Sequence, residues 1–167
     1  GGGYNREKIL AIMKDSQVGA YGVIALVFAL LIKFQVLLAL ANDQAAVLVA
    51  AMLIAGHAIS RLMAVGIMFT QKYVRDDENA RAKPAAQGLS RKSFVIALLT
   101  GVAALVLLLL AGASWASVIS ALVCALLLRG YLAWQMKKKL DGYTGDCLGA
   151  VQQVTEIGFY LGLLVAI

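Results

Sequence analysis

Hydrophobic positions along the chain gather into five long runs separated by short polar segments, covering residues 23–41, 45–69, 94–112, 115–135 and 148–167. Each run is close to the roughly 20 apolar residues that a helix needs to cross a bilayer core. No strand-like alternation interrupts them, and the single proline, Pro84, falls between the second and third runs. The pattern predicts an all-α protein, a polytopic transmembrane helix bundle of about five spans in one integral membrane domain. Ahead of the first run, residues 4–16 bring Ile9, Leu10, Ile12 and Met13 to one face, ringed by Arg6, Glu7, Lys8, Lys14 and Asp15. That segment is too short to span and reads as an interfacial amphipathic helix. The glycine-punctuated stretch 17–22 reads as a turn.

Basic residues sort strictly among the polar segments. Arg6, Lys8 and Lys14 precede the first run. Lys72, Arg75, Arg81, Lys83, Arg91 and Lys92 lie between the second and third, and Lys137, Lys138 and Lys139 between the fourth and fifth. The connections near Asn42 and Ala113 carry none. The positive-inside rule therefore predicts three cytoplasmic segments, 14–22, 70–92 and 136–147, with the C-terminus outside. The last of these belongs to a polar island, 137–150, in which three lysines lead into a turn rich in Gly and Asp.

Three charges fall inside the runs: Lys33, Arg61 and Glu156. A central charge costs about 2.5–3.5 kcal/mol to insert, so each needs a partner or a cavity. Counted from Gly22 and Asp146, and at about 1.5 Å per residue, Lys33 and Glu156 lie roughly 15 Å deep from the same side. They are candidates for an intramembrane ion pair, structural or substrate-linked. Arg61 shares a helix face with His57 four residues earlier. Its planar fork suits a phosphate, whereas His57 is expected as a packed, hydrogen-bonded side chain. Arg129, near the end of the fourth run, is expected as a snorkelling anchor, and Tyr131 and Trp134 as part of an interfacial aromatic belt.

Composition agrees with the membrane reading: 62% of residues are hydrophobic and 14% charged, against about 25% charged in a soluble domain. The formal charge of +6 belongs to a membrane face, not to a nucleic-acid surface. Cys124 and Cys147 with one His give neither a disulfide framework nor a zinc set.

Candidate chemistry gathers in the polar segments. Asp146 stands at the start of the fifth run, either as a helix N-cap or as a Mg²⁺ ligand beside a phosphate. Gly142 and Gly145 let helix N–H groups approach an anion. Lys14 can neutralise a phosphate, and Asp15 can hold metal or orient a hydroxyl; the alternative for both is a solvated helix end. The mixed charge around Pro84 reads as a solvated linker or a phosphate clamp. Nucleophilic triads, a Walker loop and a dinucleotide fingerprint are absent from the sequence.

At residues 12–22, IMKDSQVGAYG, and 143–150, YTGDCLGA, the chain resembles the cobalamin synthase family, the adenosylcobinamide-GDP ribazoletransferases. Lys33, Ser60, Arg61, Tyr73, Arg75 and Glu156 also match, so the resemblance runs over almost the whole chain. It implies a bacterial inner-membrane transferase. An oxygen of α-ribazole, or of its 5′-phosphate, attacks the cobinamide-linked phosphate of adenosylcobinamide-GDP, and GMP leaves. It also implies Mg²⁺ as cofactor. On the matching positions, Asp15 and Asp146 become catalytic or metal candidates, and Lys14, Arg61, Arg75 and Gly145 phosphate-binding ones. The family's upstream acidic segment, a natural metal site, is not matched here. The chain is thus expected to be a truncated member, and Asp141 stands where many members carry Gly. A transporter subunit or a catalytically incomplete scaffold are the competing readings, and a homo-oligomer is compatible with all of them.

Overall fold

The computed structural model describes residues 5–15, 17–42, 44–74 and 89–166. Among them the chain forms six helices: α1 (Arg6–Lys14), α2 (Ala20–Ala41), α3 (Ala46–Thr70), α4 (Arg91–Leu110), α5 (Trp115–Leu140) and α6 (Gly145–Val165). The last five are long and apolar enough to cross a membrane, and the protein is a polytopic membrane protein. Arg75, Arg81, Lys83 and Pro84 lie outside the described residues.

Short polar caps set the helix starts. The Asn5 side chain accepts from Lys8 N at 3.0 Å and opens α1. Ser90 and Ser114 each accept from the backbone N–H three residues on, both at 3.1 Å, and open α4 and α5. Such caps satisfy N–H groups that have no partner within the helix. Along α1, Ile9, Leu10 and Met13 pack half-buried against the core, while Ile12 at the edge of that face stays exposed.

The polar island proved shorter than its composition implied. Helix α5 continues to Leu140 instead of stopping at 135, and α6 begins at Gly145 instead of 148. Lys137, Lys138 and Lys139 form the last turn of α5, where cations complement the negative end of the helix dipole. Only residues 141–144 remain as a turn.

Helices α3 and α6 are the most enclosed. Helix α6 packs most extensively on α5, and also lies against α3 and α2. Helix α4 covers another side of α3, whereas α2 barely touches α3. The tight contacts depend on glycine. A Cβ at Gly162 would run into the backbone of Ala121 on α5, and one at Gly56 would overlap the Tyr160 ring. Small residues at such crossings are what lets helix backbones close up in a bilayer. Arg129, expected as an anchor, instead donates from Nε to the Met63 carbonyl at 3.3 Å, its guanidinium resting against Gly66.

Candidate functional site

Among the described residues, polar groups assemble at the basic end of the bundle and within its interior. At the basic end, two connections are stitched together. Tyr143 N donates to the Lys72 carbonyl at 2.9 Å and Val74 N donates to the Tyr143 carbonyl at 3.0 Å. This isolated bridge ties the segment leaving α3 to the turn entering α6. The rings of Tyr73 and Tyr143 meet edge-on at 5.6 Å. Gly142 lies so near the Lys72 carbonyl that a Cβ there would overlap it. Burial, with a smaller contribution from neighbouring Tyr73, pushes the Tyr143 phenol above its ordinary pKa. Gln71 adds a third tie, donating from Nε2 to the Ala133 carbonyl of α5 at 2.9 Å.

The start of α6 differs from expectation in one respect. Thr144, not Asp146, is the N-cap; its Oγ1 accepts from Cys147 N at 3.4 Å. Thr144 occupies the cap because its own backbone is extended while Asp146 is already helical. Asp146 is therefore a first-turn carboxylate, exposed at the positive end of the helix dipole. Gly145, the first helical residue, is half-buried beside it. Cys147 is buried and, like Cys124, carries a free thiol.

Lys14 ends α1 and Asp15 caps it. The Asp15 carboxylate turns back to accept from Gln17 N at 3.0 Å, and both residues are exposed. Among the described residues no three His, Cys, Asp or Glu side chains group together as a metal set. Asp15 caps α1 and Asp146 lies in the first turn of α6, so the two carboxylates come from different elements. They suit a cation that keeps several waters and takes the rest of its shell from substrate phosphates, as Mg²⁺ does.

The interior assembly centres on Glu156, which is 1% exposed. Its Oε1 receives Lys33 Nζ at 2.8 Å, His57 Nδ1 at 3.2 Å and the Tyr160 hydroxyl at 3.2 Å. Lys33 and Glu156 are thus paired across α2 and α6, as their depths implied. Oε2 of Glu156 is buried without a hydrogen-bond partner among the described residues. Tyr160 also donates to the Leu53 carbonyl at 3.4 Å. His57 is not a packed core histidine: it is half exposed and joins the carboxylate from α3. One turn nearer the basic end, Arg61 is exposed and donates to the His57 carbonyl of its own helix at 3.2 Å.

Sequence reasoning overlooked Tyr160 in this assembly. Its signal was the four-residue spacing from Glu156, which puts both side chains on one helix face. The structure unites Lys33 with Glu156, whereas the hydrogen bond of Arg61 goes to its own helix.

The family model for cobalamin-5-phosphate synthase matches residues 1–164. Proteins named adenosylcobinamide-GDP ribazoletransferase from Shewanella putrefaciens, Shewanella oneidensis and Shewanella baltica are 44%, 43% and 42% identical over 165 residues. Each alignment covers 99% of this chain, which spans 61% of the relative's length. No solved structure matches the chain. The match extends from α1 to the last turn of α6, and on that ground the chain belongs to the cobalamin-5-phosphate synthase family.

Proposed function

We propose that this chain forms the phosphate-handling end of a membrane transferase. The enzyme joins α-ribazole, or its 5′-phosphate, to adenosylcobinamide-GDP and releases GMP. The family match supports the reaction class, and the stitched basic end supports the location. The observation that carries the reading is the exposed Asp146 in the first turn of α6, in a segment locked to residues 72–74 through Tyr143. A phosphoryl centre under attack gathers negative charge, and fixed cations, helix N–H groups and a metal ion are what lower its barrier.

The parts divide the work as follows. Lys14 neutralises a phosphate oxygen, and the first N–H groups of α6, opened by Gly145, receive another. Asp15 and Asp146 are the residues suited to hold Mg²⁺, which when bound supplies positive charge to the pyrophosphate. Arg75 belongs to this group by its place in the sequence. The basic end faces the cytoplasm of a bacterial inner membrane in this reading, with the C-terminus outside.

The test is GMP release by the full-length protein in liposomes. Release is expected only when adenosylcobinamide-GDP, α-ribazole and Mg²⁺ are all present. Asp146→Asn is expected to lower kcat by about 10²-fold, the usual scale for losing one electrostatic stabiliser. GMP release without α-ribazole, or full activity in Asp146→Asn, overturns the proposal.

A further inference from the structure

We propose that the cavity between the ends of α3 and α5 seats the phosphorylated sugar of the co-substrate, with Lys72 and Lys137 selecting α-ribazole 5′-phosphate over α-ribazole. This rests on the transferase reading above and adds to it a second phosphate site, apart from the reacting one. The cavity measures about 220 Å³, and Gln71, Lys72, Lys137, Asp141 and Gly142 stand in its walls.

Those walls are held in place from several elements. The Lys72 carbonyl receives Tyr143 N at 2.9 Å, and a Cβ at Gly142 would overlap that same carbonyl. Gln71 Nε2 is committed to the Ala133 carbonyl of α5 at 2.9 Å, which fixes the orientation of the amide. Lys137 belongs to the last turn of α5.

The lining chemistry is mixed. Neither Lys72 nor Lys137 makes an ion pair among the described residues, whereas Lys138 lies over the Trp134 ring at 5.0 Å. One carboxylate, the exposed Asp141, stands against the two lysines, so the cavity keeps a net positive charge. Gln71 Oε1 is buried and has no hydrogen-bond partner among the described residues. Two ammonium groups call for an anion, and a carbonyl oxygen left over calls for a donor. A bare phosphate would leave the carbonyl unfilled, and a neutral sugar would leave the lysines unfilled. A sugar that carries a phosphate supplies both the hydroxyl and the anion.

Size and place agree with this ligand. A void of about 150 Å³ takes a benzene ring, and drug-sized ligands need about 300 Å³ or more. The cavity therefore suits a ribose phosphate and excludes a corrinoid. In the transfer, a ribose hydroxyl bonds to the cobinamide-linked phosphorus. The bond from that phosphorus to its bridging oxygen breaks, GMP takes the electron pair, and the hydroxyl proton passes to solvent. The 5′-phosphate keeps all its bonds and its charge, so it needs cations of its own. Gly142 of the cavity and Gly145, which opens α6, are three residues apart, at most about 11 Å of chain. One nucleoside phosphate bridges that gap.

Binding of the two co-substrates to the full-length protein in phosphatidylcholine liposomes tests this, because it reads the cavity without turnover. The parent is expected to bind α-ribazole 5′-phosphate more tightly than α-ribazole. Lys72→Gln and Lys137→Gln are each expected to raise Kd for the phosphorylated form about tenfold, the scale of one charged hydrogen bond, and to leave Kd for α-ribazole unchanged. Lys137→Arg keeps the cation and is expected to keep the preference. Unchanged binding of the phosphorylated form in both glutamine variants, or an equal loss for both co-substrates, overturns the proposal. So does a preference that persists in these vesicles but is lost when phosphatidylglycerol is added, because the lysines would then serve a lipid headgroup. GMP release is measured alongside. Its absence from the parent with either co-substrate sinks the transferase reading, while the two Kd values still decide the cavity.

Discussion

Lys33 of α2 and Glu156 of α6 meet at 2.8 Å deep in the bundle, the lysine 22% and the carboxylate 1% exposed. The pair is the main polar attachment of α2, which has only Val36 and Leu40 buried along its whole length. Through Tyr160 and His57 the same carboxylate oxygen also reaches α3. One acidic side chain therefore fixes the spacing of three helices whose apolar surfaces carry little directional information.

This asymmetry predicts unequal single mutants. Lys33→Met leaves a buried carboxylate with weaker compensation and is expected to cost about 3 kcal/mol, toward the low end for a broken buried pair because His57 and Tyr160 remain. Glu156→Gln is expected to cost less, since the amide oxygen put in place of the carboxylate still accepts from Lys33, His57 and Tyr160. The double mutant should be more stable than the sum of the singles implies, with a coupling of about 1–2 kcal/mol. Reversible unfolding in mixed micelles measures all three. Strict additivity would show that the pair contributes nothing specific.

A second expectation concerns the α5–α6 contact. Gly162 faces the backbone of Ala121, so a methyl group there has no side chain to push aside. Gly162→Ala is expected to destabilise by about 1–3 kcal/mol, the range for overpacking a tight interface. Gly145→Ala, with nothing within 4 Å of its new Cβ, is expected to leave the fold intact. Thermal unfolding in detergent separates the two, and equal midpoints would contradict the close crossing.

Much of this architecture was legible in advance because hydrocarbon imposes simple demands. Five apolar runs and the polarity of their connections give the helices, and equal depth gives the Lys33–Glu156 pair. Helix ends were less visible. Lys137, Lys138 and Lys139 look like loop residues by hydropathy, yet they extend α5 because their charges suit a helix C-terminus. By residue type Asp146 is the stronger capping group, yet Thr144 takes the cap because backbone conformation decides it. The exposure of His57 was hidden for another reason. It depends on α2 leaning on α6 and not on α3, which no pattern within α3 records.

The turn between α5 and α6 offers a third test. Asp141 sits in the left-handed region, with φ 58° and ψ 30°, a conformation that Cβ makes unfavourable and glycine adopts freely. Asp141 also lines a cavity of about 220 Å³ with Thr70, Gln71, Lys72, Lys137 and Gly142. Asp141→Gly is expected to raise stability by about 0.5–1 kcal/mol, as a helix ending in αL prefers. Under the proposed function, GMP release by the full-length variant should match the parent protein. A destabilised Asp141→Gly protein would mean that the carboxylate holds the neighbouring lysines in place, and that its charge outweighs backbone strain.

Alkaline pH gives the last test, directed at the bridge between the two connections. Tyr143 has a phenol pKa raised first by burial and then by Tyr73. An acid whose folded pKa lies above its unfolded value near 10 contributes a constant stability below that value. It loses this contribution as pH rises from the unfolded pKa through the folded one, because the unfolded chain ionises first. Stability is therefore expected to fall above about pH 10, with the basic end loosening before the spans. Tyr143→Phe cannot ionise, so its stability should decline less steeply above about pH 10, whatever its stability at neutral pH. Hydrogen exchange of Tyr143 N and Val74 N, the two bridge amides, reports the loosening directly. Identical alkaline profiles for parent and variant would show that Tyr143 ionises as freely in the fold as in the unfolded chain.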